Sequence, residues 1–285
     1  SQIYYLNLLI KKMKKLIKTP LGILKYILKS NFDNKKNKVR NELGYKEKNI
    51  LKSLKKYGYV KIENFISEKK CKNIINLIDE AILNYPNLIW KDEVKSDNRI
   101  FGAEILHNDI LNFFTNKIIH SIGEIYCKLQ LKNTMTMANK VVFKNKNPGS
   151  GVGWHRDAYR KQFKSILYLN SVTEDNGPFQ LIKESNRLQN IFKTSIKLKK
   201  NFKNTRYSEE EIKKITTNDQ IITLTGNPGS LILFDTTLIH RGKPLNQSTR
   251  YALTNYYETS SNFKKAVESI EPHFASQYKL INKSI

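Results

Sequence analysis

The sequence predicts a mainly β fold with flanking α-helices, a double-stranded β-helix of the jelly-roll or cupin-like kind, and three observations carry that prediction. From Met135 onward the chain runs in short apolar or alternating segments separated by turns, as two facing sheets require. Before that point it carries apolar residues at helical spacing, which supply layers to cover a sheet. The third observation is His155 and Asp157, two residues apart, matched downstream by His240 beyond another apolar run. On a strand, side chains two apart share a face, so His155 and Asp157 can grip one ion while His240 adds an imidazole from a distant strand. Two imidazoles and a carboxylate on one face leave three positions of an octahedral metal open and suit non-haem Fe(II).

Taken in order, residues 3–18 place Leu6, Leu9, Ile10, Met13, Leu16 and Ile17 at helical spacing, with Lys11, Lys12, Lys14, Lys15 and Lys18 largely opposite. Pro20 interrupts, and a second short helix is expected from Leu21 to Leu28. Lysines cut each apolar run well below the ~18 residues that span a bilayer, and no small-residue cleavage site follows a clean apolar stretch. Neither a transmembrane helix nor a secretory signal is therefore expected. Two readings stay open for residues 1–29: an amphipathic helix lying on an anionic membrane surface, or a helix packed on the catalytic domain or a partner subunit. The polar, Lys/Asn-rich stretch 31–48 reads as a linker, so that residues 1–48 form a basic extension and residues 49–285 the catalytic domain.

Ile50–Tyr57 is expected to be helical, Gly58 to turn the chain, and Tyr59–Ile62 to form a strand. Ser67 is placed to cap a helix whose apolar stripe is Cys71, Ile74, Ile75, Ile78 and Ile82. Ile110, Leu111, Phe114, Ile118 and Ile122 predict one helix over residues 110–130. Beyond the Gly-rich turn 147–151, Ser165–Leu169 reads as a strand, residues 174–178 as a turn, and Pro228-Gly229 as a turn into the apolar strand that delivers His240. Between Arg187 and Gln220 lies a lysine-rich insert in which Ser208–Glu211 is a capping pattern for one short helix. Such an insert either covers the mouth of a site or elaborates the surface.

With 285 residues and 39% hydrophobic content, the chain can bury one sizeable core without a second globular domain. Cys71 and Cys127 stand in no CxxC or zinc-like spacing, so no disulfide framework is expected and both read as inert packing residues in a reducing cytosol. A cytoplasmic location follows, peripheral to the inner face of a membrane if residues 1–29 bind lipid. The formal charge of +25 favours anionic partners: nucleic acid, phospholipid headgroups, or a phosphorylated or CoA-bearing substrate. Lys, Asn and Ile are abundant together while Arg is scarce, the pattern an AT-rich genome leaves, so the charge by itself names no partner. No nucleic-acid motif is present, and no specific nucleic acid is expected.

Trp154-His155-Arg156-Asp157 after a Gly-rich turn, then Ser165–Leu169, then Pro228–Asp235 leading to His240, then Arg250-Tyr251-Ala252-Leu253, form a recognisable series. Over roughly residues 50–258 it resembles the phytanoyl-CoA dioxygenase family of Fe(II)/2-oxoglutarate oxygenases. The resemblance implies Fe(II) held by His155, Asp157 and His240, with 2-oxoglutarate and O2 as co-substrates. It also implies that 2-oxoglutarate chelates the metal through its 1-carboxylate and keto oxygen. Arg250 then receives the far carboxylate, for which a planar guanidinium is a bidentate match. Succinate and carbon dioxide are released as the substrate is hydroxylated. Asp157 favours hydroxylation over halogenation, since related halogenases lack the carboxylate; desaturation, epoxidation and ring formation stay open.

The same resemblance nominates further residues. Two positions after the distal histidine, relatives often carry a co-substrate-binding side chain; here that residue is Gly242, and Ser248 or Tyr168 is the expected replacement. Tyr159 stands where related enzymes place an aromatic group near the site. Asn139, Lys140 and Lys144 lie in the stretch that contacts co-substrate or substrate, with Lys140 assigned to substrate. For these residues ordinary packing or solvation is the competing reading. Arg99, Arg156 and Arg160 are available to an anionic substrate, although strict alternation turns Arg156 away from the metal and makes the surface its default. His107, His120 and His273 read as solvent-exposed or hydrogen-bonded.

The leading expectation is a hydroxylase of a small or carrier-linked anionic metabolite, with acyl-CoA, phosphonates, sugar-linked intermediates and amino-acid derivatives all within its class. The alternative is a catalytically silent basic binding protein for nucleic acid or anionic membrane, whose salt-sensitive binding would survive loss of the triad.

Overall fold

A computed structural model describes residues 21–25, 43–201, 203–259, 263, 266–268 and 270–281. Its strands are β1 (Tyr59–Ile62), β2 (Trp90–Lys91), β3 (Asp97–Phe101), β4 (Leu131–Val142), β5 (Phe163–Tyr168), β6 (Phe179–Ile182), β7 (Ile221–Leu224), β8 (Leu231–Asp235), β9 (His240–Gly242) and β10 (Thr249–Thr259). Helices are α1 (Tyr45–Tyr57), α2 (Glu68–Asn84), α3 (Asn108–Phe114), α4 (Lys117–Cys127), α5 (Leu188–Leu198), α6 (Glu209–Ile215) and α7 (Phe274–Ile281). The strands pair antiparallel into a seven-stranded sheet ordered β1-β8-β5-β10-β4-β3-β2 and a three-stranded sheet ordered β7-β6-β9. This interleaving of distant strands is the double-stranded β-helix that the sequence predicts.

Alternation along the large sheet divides its side chains between two apolar layers. Leu167, Leu231, Leu233 and Leu253 pack outward against Ile74, Ile78 and Ile122 of α2 and α4. Their immediate neighbours Tyr168, Ile232, Phe234 and Ala252 point inward, toward Phe179 and Leu181 of the small sheet. One face thus carries the helical layer and the other closes the barrel.

The helix boundaries follow local chemistry. Gly58 ends α1 at φ 81°, a left-handed conformation that costs glycine little. Ser67 caps α2 as expected, its hydroxyl accepting from the Lys70 amide at 3.4 Å, and Cys71, Ile74, Ile78 and Ala81 form the buried stripe. The single helix expected over residues 110–130 is instead α3 and α4, because the Asn116 side chain accepts from the Ile119 amide at 3.0 Å and starts a new helix. The run of strands expected from Met135 starts at Leu131 with β4, the short strands β2 and β3 precede it, and the expected linker ends early, since α1 starts at Tyr45. The insert holds two helices rather than one: α5, and α6 with the expected Ser208/Glu211 capping box.

Cys71 and Cys127 are both buried and free, and burial pushes the Cys71 thiol up to about 11, which suits packing rather than reactivity. Residues 21–25 are helical, and Ile23 is fully buried against Tyr159 and Ile191, so this short piece takes the packed alternative. The remainder of the 1–29 stretch, with its expected amphipathic stripe, lies outside the described residues. No helix among the described residues is long and apolar enough to cross a membrane.

Candidate metal centre

His240 sits on β9, and His155 lies beside it on an extended segment joined to β9 by an isolated β-bridge rather than on a strand of its own. The His155 amide donates to the His240 carbonyl at 2.9 Å and the His240 amide returns a bond at 2.8 Å. Two residues on, the Asp157 amide donates to the Thr236 carbonyl at 3.1 Å, which keeps the segment extended and returns Asp157 to the face of His155. One donor atom from each of His155, Asp157 and His240 falls within 4.8 Å of the others. Asp157 Oδ1 stands 3.6 Å from Nε2 of His155 and 3.9 Å from Nε2 of His240.

Hydrogen bonding selects the coordinating nitrogens. Nδ1 of His155 lies 2.9 Å from the Gly153 carbonyl and Nδ1 of His240 lies 2.8 Å from the Leu238 carbonyl. A carbonyl only accepts, so each Nδ1 carries the proton and each Nε2 turns a lone pair toward Asp157. Burial, and then the neighbouring His155, lower His240 to about 3; burial likewise lowers His155. Both imidazoles are thereby held in the neutral, metal-binding form. Burial by itself would raise the Asp157 carboxyl, but the Lys164 ammonium outweighs it and holds Asp157 well below the usual carboxylate range. Lys164 Nζ sits 2.8 Å from the other carboxylate oxygen, Oδ2. Two neutral imidazoles and an ionised carboxylate, with water-accessible space beyond them, fit a divalent first-row metal with open positions.

A cavity of about 390 Å³ opens beside the triad, walled by Ile166, Tyr168, Phe179, Phe234 and Ala252. Arg250 lines it too, 5% exposed; its Nη1 donates to the Gly177 carbonyl, while Nε is buried with no partner in the protein. No carboxylate among the described residues pairs with this guanidinium, and a buried cation without a counter-charge is costly. A ligand carboxylate would supply such a counter-charge, and Arg250 is the residue that the sequence nominates for the far end of 2-oxoglutarate. A Cβ on Gly242 would stand 3.1 Å from Arg250 Nη1 and 2.9 Å from the Cβ of Ser150, so the bare backbone there makes room for both.

Among the residues nominated from sequence, Arg99, Asn139, Arg156, Tyr168 and Arg250 border this cavity with the triad. Tyr168 presents its ring, since its hydroxyl donates to the Leu224 carbonyl at 2.8 Å and accepts from the Phe179 amide at 2.9 Å. Arg99 is held by Asp97 at 2.6 Å and stacks over Trp90. Four nominees lie elsewhere. Lys144 and Ser248 are exposed, Ser248 in the turn between β9 and β10. Lys140 bonds to Asp79 at 2.8 Å on the helical side of the sheet, because on β4 it has the opposite parity to Asn139. Tyr159 packs against Ile23 and donates to the Asn204 carbonyl at 3.1 Å.

Arg156 corrects its expected surface position. It does point away from the triad, yet it is 1% exposed, because Tyr207 and the Ser185 and Thr237 carbonyls cover and bond its guanidinium. Arg160 pairs with Glu258 at 2.7 Å and does not line the cavity. His107 accepts from the Asp109 amide at 3.1 Å and His120 bonds to the Leu131 carbonyl at 3.0 Å, as expected of histidines outside the site.

Lys164, Ser150, Tyr256 and Arg206 line the cavity without having been singled out in the sequence. Lys164 was within reach of pattern: it shares parity on β5 with Ile166 and Tyr168, but a strand taken to start at Ser165 leaves it out. Arg206 carries no periodic signal; a β-bridge between its backbone and His155 brings it to the mouth.

The profile of the phytanoyl-CoA dioxygenase (PhyH) family matches residues 54–252. Among solved structures, the chain resembles the epimerase SnoN in complex with Fe3+, alpha ketoglutarate and nogalamycin RO, with a TM-score of 0.55 at 12% identity over 75% of this chain and 84% of that one. EctD from S. alaskensis with bound Fe gives a TM-score of 0.54 at 18% identity over 80% of this chain and 81% of EctD. HygX from Streptomyces hygroscopicus, with nickel and 2-oxoglutarate bound, gives 0.52 at 8% identity over 77% of this chain and 88% of HygX. At such identities the likeness speaks for the fold. No curated protein matches the sequence.

Proposed function

The chain belongs to the phytanoyl-CoA dioxygenase (PhyH) family of non-haem iron, 2-oxoglutarate-dependent enzymes, and from that premise we propose that it hydroxylates a small or carrier-linked anionic metabolite. The observation that carries this reading is the pairing of the His155, Asp157, His240 donor set with the unpartnered Arg250 in one cavity. Nε2 of His155, Nε2 of His240 and Asp157 Oδ1 would hold Fe(II), and the bound metal would supply the oxidising chemistry in the presence of 2-oxoglutarate and O2. Arg250 binds the far carboxylate of 2-oxoglutarate and so orients it toward the triad. The walls formed by Ile166, Phe179, Phe234 and Ala252 exclude water around the reacting atoms. Two imidazoles and a carboxylate converging beside an unpartnered arginine in one cavity weigh against the silent binding scaffold.

Charge supports an anionic substrate. Arg99, Lys164, Arg206 and Arg250 line the cavity, and the carboxylates in contact with them are Asp97 and Asp157. A divalent ion and dianionic 2-oxoglutarate cancel each other, so the excess of cations remains for the third component. Arg206 at the mouth donates to the Gly151 and Val152 carbonyls at 2.8 and 3.2 Å and has no carboxylate partner among the described residues. Low-dielectric walls strengthen such a field toward an approaching anion.

The test is Fe(II)-dependent conversion of 2-oxoglutarate to succinate, measured alone and with acyl-CoAs, phosphonates, sugar phosphates and neutral analogues. The reading expects slow background turnover that a member of the anionic set stimulates and that H155A abolishes. Equal succinate from wild type and H155A would refute the enzyme assignment; stimulation by neutral compounds alone would refute the substrate class.

A further inference from the structure

We propose that Lys164 is a positioning residue that holds Asp157 as a one-oxygen metal ligand, keeping the adjoining coordination position free for co-substrate or dioxygen. The proposal rests on the triad being a metal site, as argued above. Lys164 enters the cavity from β5, on the same face as Ile166 and Tyr168. Its Nζ lies 2.8 Å from Asp157 Oδ2, whereas Oδ1 is the oxygen facing the two histidine Nε2 atoms at 3.6 and 3.9 Å. The two carboxylate oxygens are thus divided between an ammonium and the metal position.

Lys164 is itself held in place. Nζ stands 4.0 Å from the centroid of the Tyr256 ring on β10, the strand paired with β5, and the ring face attracts the cation. Asp157 is the carboxylate it pairs with among the described residues. Facial binding by the triad leaves three positions, and a bidentate co-substrate together with dioxygen needs all of them. A carboxylate binds a divalent ion through one oxygen or two, and binding through two would consume one of those positions. The ammonium offers Oδ2 a competing partner that the metal cannot also use. A cation this close to the metal opposes metal binding through space, so a lysine here works against affinity and in favour of geometry.

The test loads metal-free protein with Co(II) under nitrogen and reads the ligand-field absorption, the affinity for 2-oxoglutarate, and a crystal structure of the wild-type Co(II) form. Wild type is expected to bind Co(II) through Oδ1 alone, with Oδ2 on Lys164. In K164M the absorption should shift and 2-oxoglutarate should bind about tenfold more weakly at retained circular dichroism, while K164R restores both. An unchanged spectrum in folded K164M, or both Asp157 oxygens on Co(II) in wild type, overturns the proposal; the wild-type structure decides it even if K164M does not fold. Failure of wild type to take up Co(II) at the triad would instead refute the metal-site reading beneath it.

Discussion

His155 and His240 are joined through their main chains, each amide donating to the other's carbonyl at 2.9 and 2.8 Å. This pairing fixes the two main chains side by side, and the Nδ1 contacts with the Gly153 and Leu238 carbonyls orient the rings. The site is preformed, so removing the metal should leave the fold intact. H240A is expected to lose more than about 100-fold in Co(II) affinity, beyond the range typical of outer-shell substitutions, while keeping its circular dichroism spectrum. A metal-stripped wild type that unfolds would contradict the preformed site.

Arg250 is predicted to act on co-substrate rather than on metal. R250M should leave Co(II) binding within about twofold of wild type and weaken 2-oxoglutarate by about 30-fold or more, as loss of a charge-assisted bond requires. R250K keeps the charge but loses the fork, and should recover only part of the affinity. Calorimetric titration distinguishes these cases, and full recovery in R250K would argue against a bidentate contact.

Gly242 is expected to behave as a space-maker for the same guanidinium. A side chain there would press on Arg250 Nη1 and Ser150 Cβ, at 3.1 and 2.9 Å from the added carbon. G242V should therefore raise KM for 2-oxoglutarate by about tenfold, with kcat less affected, because uniform binding is what it disturbs. An unchanged KM in steady-state succinate assays would show that the loop around Ser150 yields freely.

Arg156, whose guanidinium is bonded by protein groups, should matter for stability. Its Nε bonds to the Tyr207 hydroxyl at 3.0 Å and its Nη1 to the Ser185 carbonyl at 2.7 Å, so it ties the insert to the barrel. R156M is expected to lower unfolding free energy by about 3 kcal/mol, from lost charge-assisted bonds and stranded carbonyls. Urea denaturation measures this, and a midpoint equal to that of wild type would place the anchoring of the insert elsewhere.

The convergence of the triad and Arg250 on one cavity was legible because strand periodicity and turn residues fix which side chains share a face. His155 and Asp157 share parity, and Arg250 shares parity with Ala252, Thr254 and Tyr256 along the inner face of β10. The same rule, applied one residue earlier on β5, would have found Lys164. Parity also turned Arg156 the right way, but only the fold shows that Tyr207 of the insert covers it. Lys144 and Ser248 lie away from the cavity, in exposed turns where no periodicity operates. The break between α3 and α4 was missed because the apolar spacing runs on through Asn116, whose capping side chain outweighs it.

The most direct measurement is anaerobic titration of metal-free protein with Fe(II), followed by 2-oxoglutarate, monitored by the charge-transfer absorption of the chelate. The account predicts one Fe(II) per chain, a band that appears only when both components are present, and its loss in D157A and H155A. A band of equal strength in those variants, or none in wild type, would contradict it.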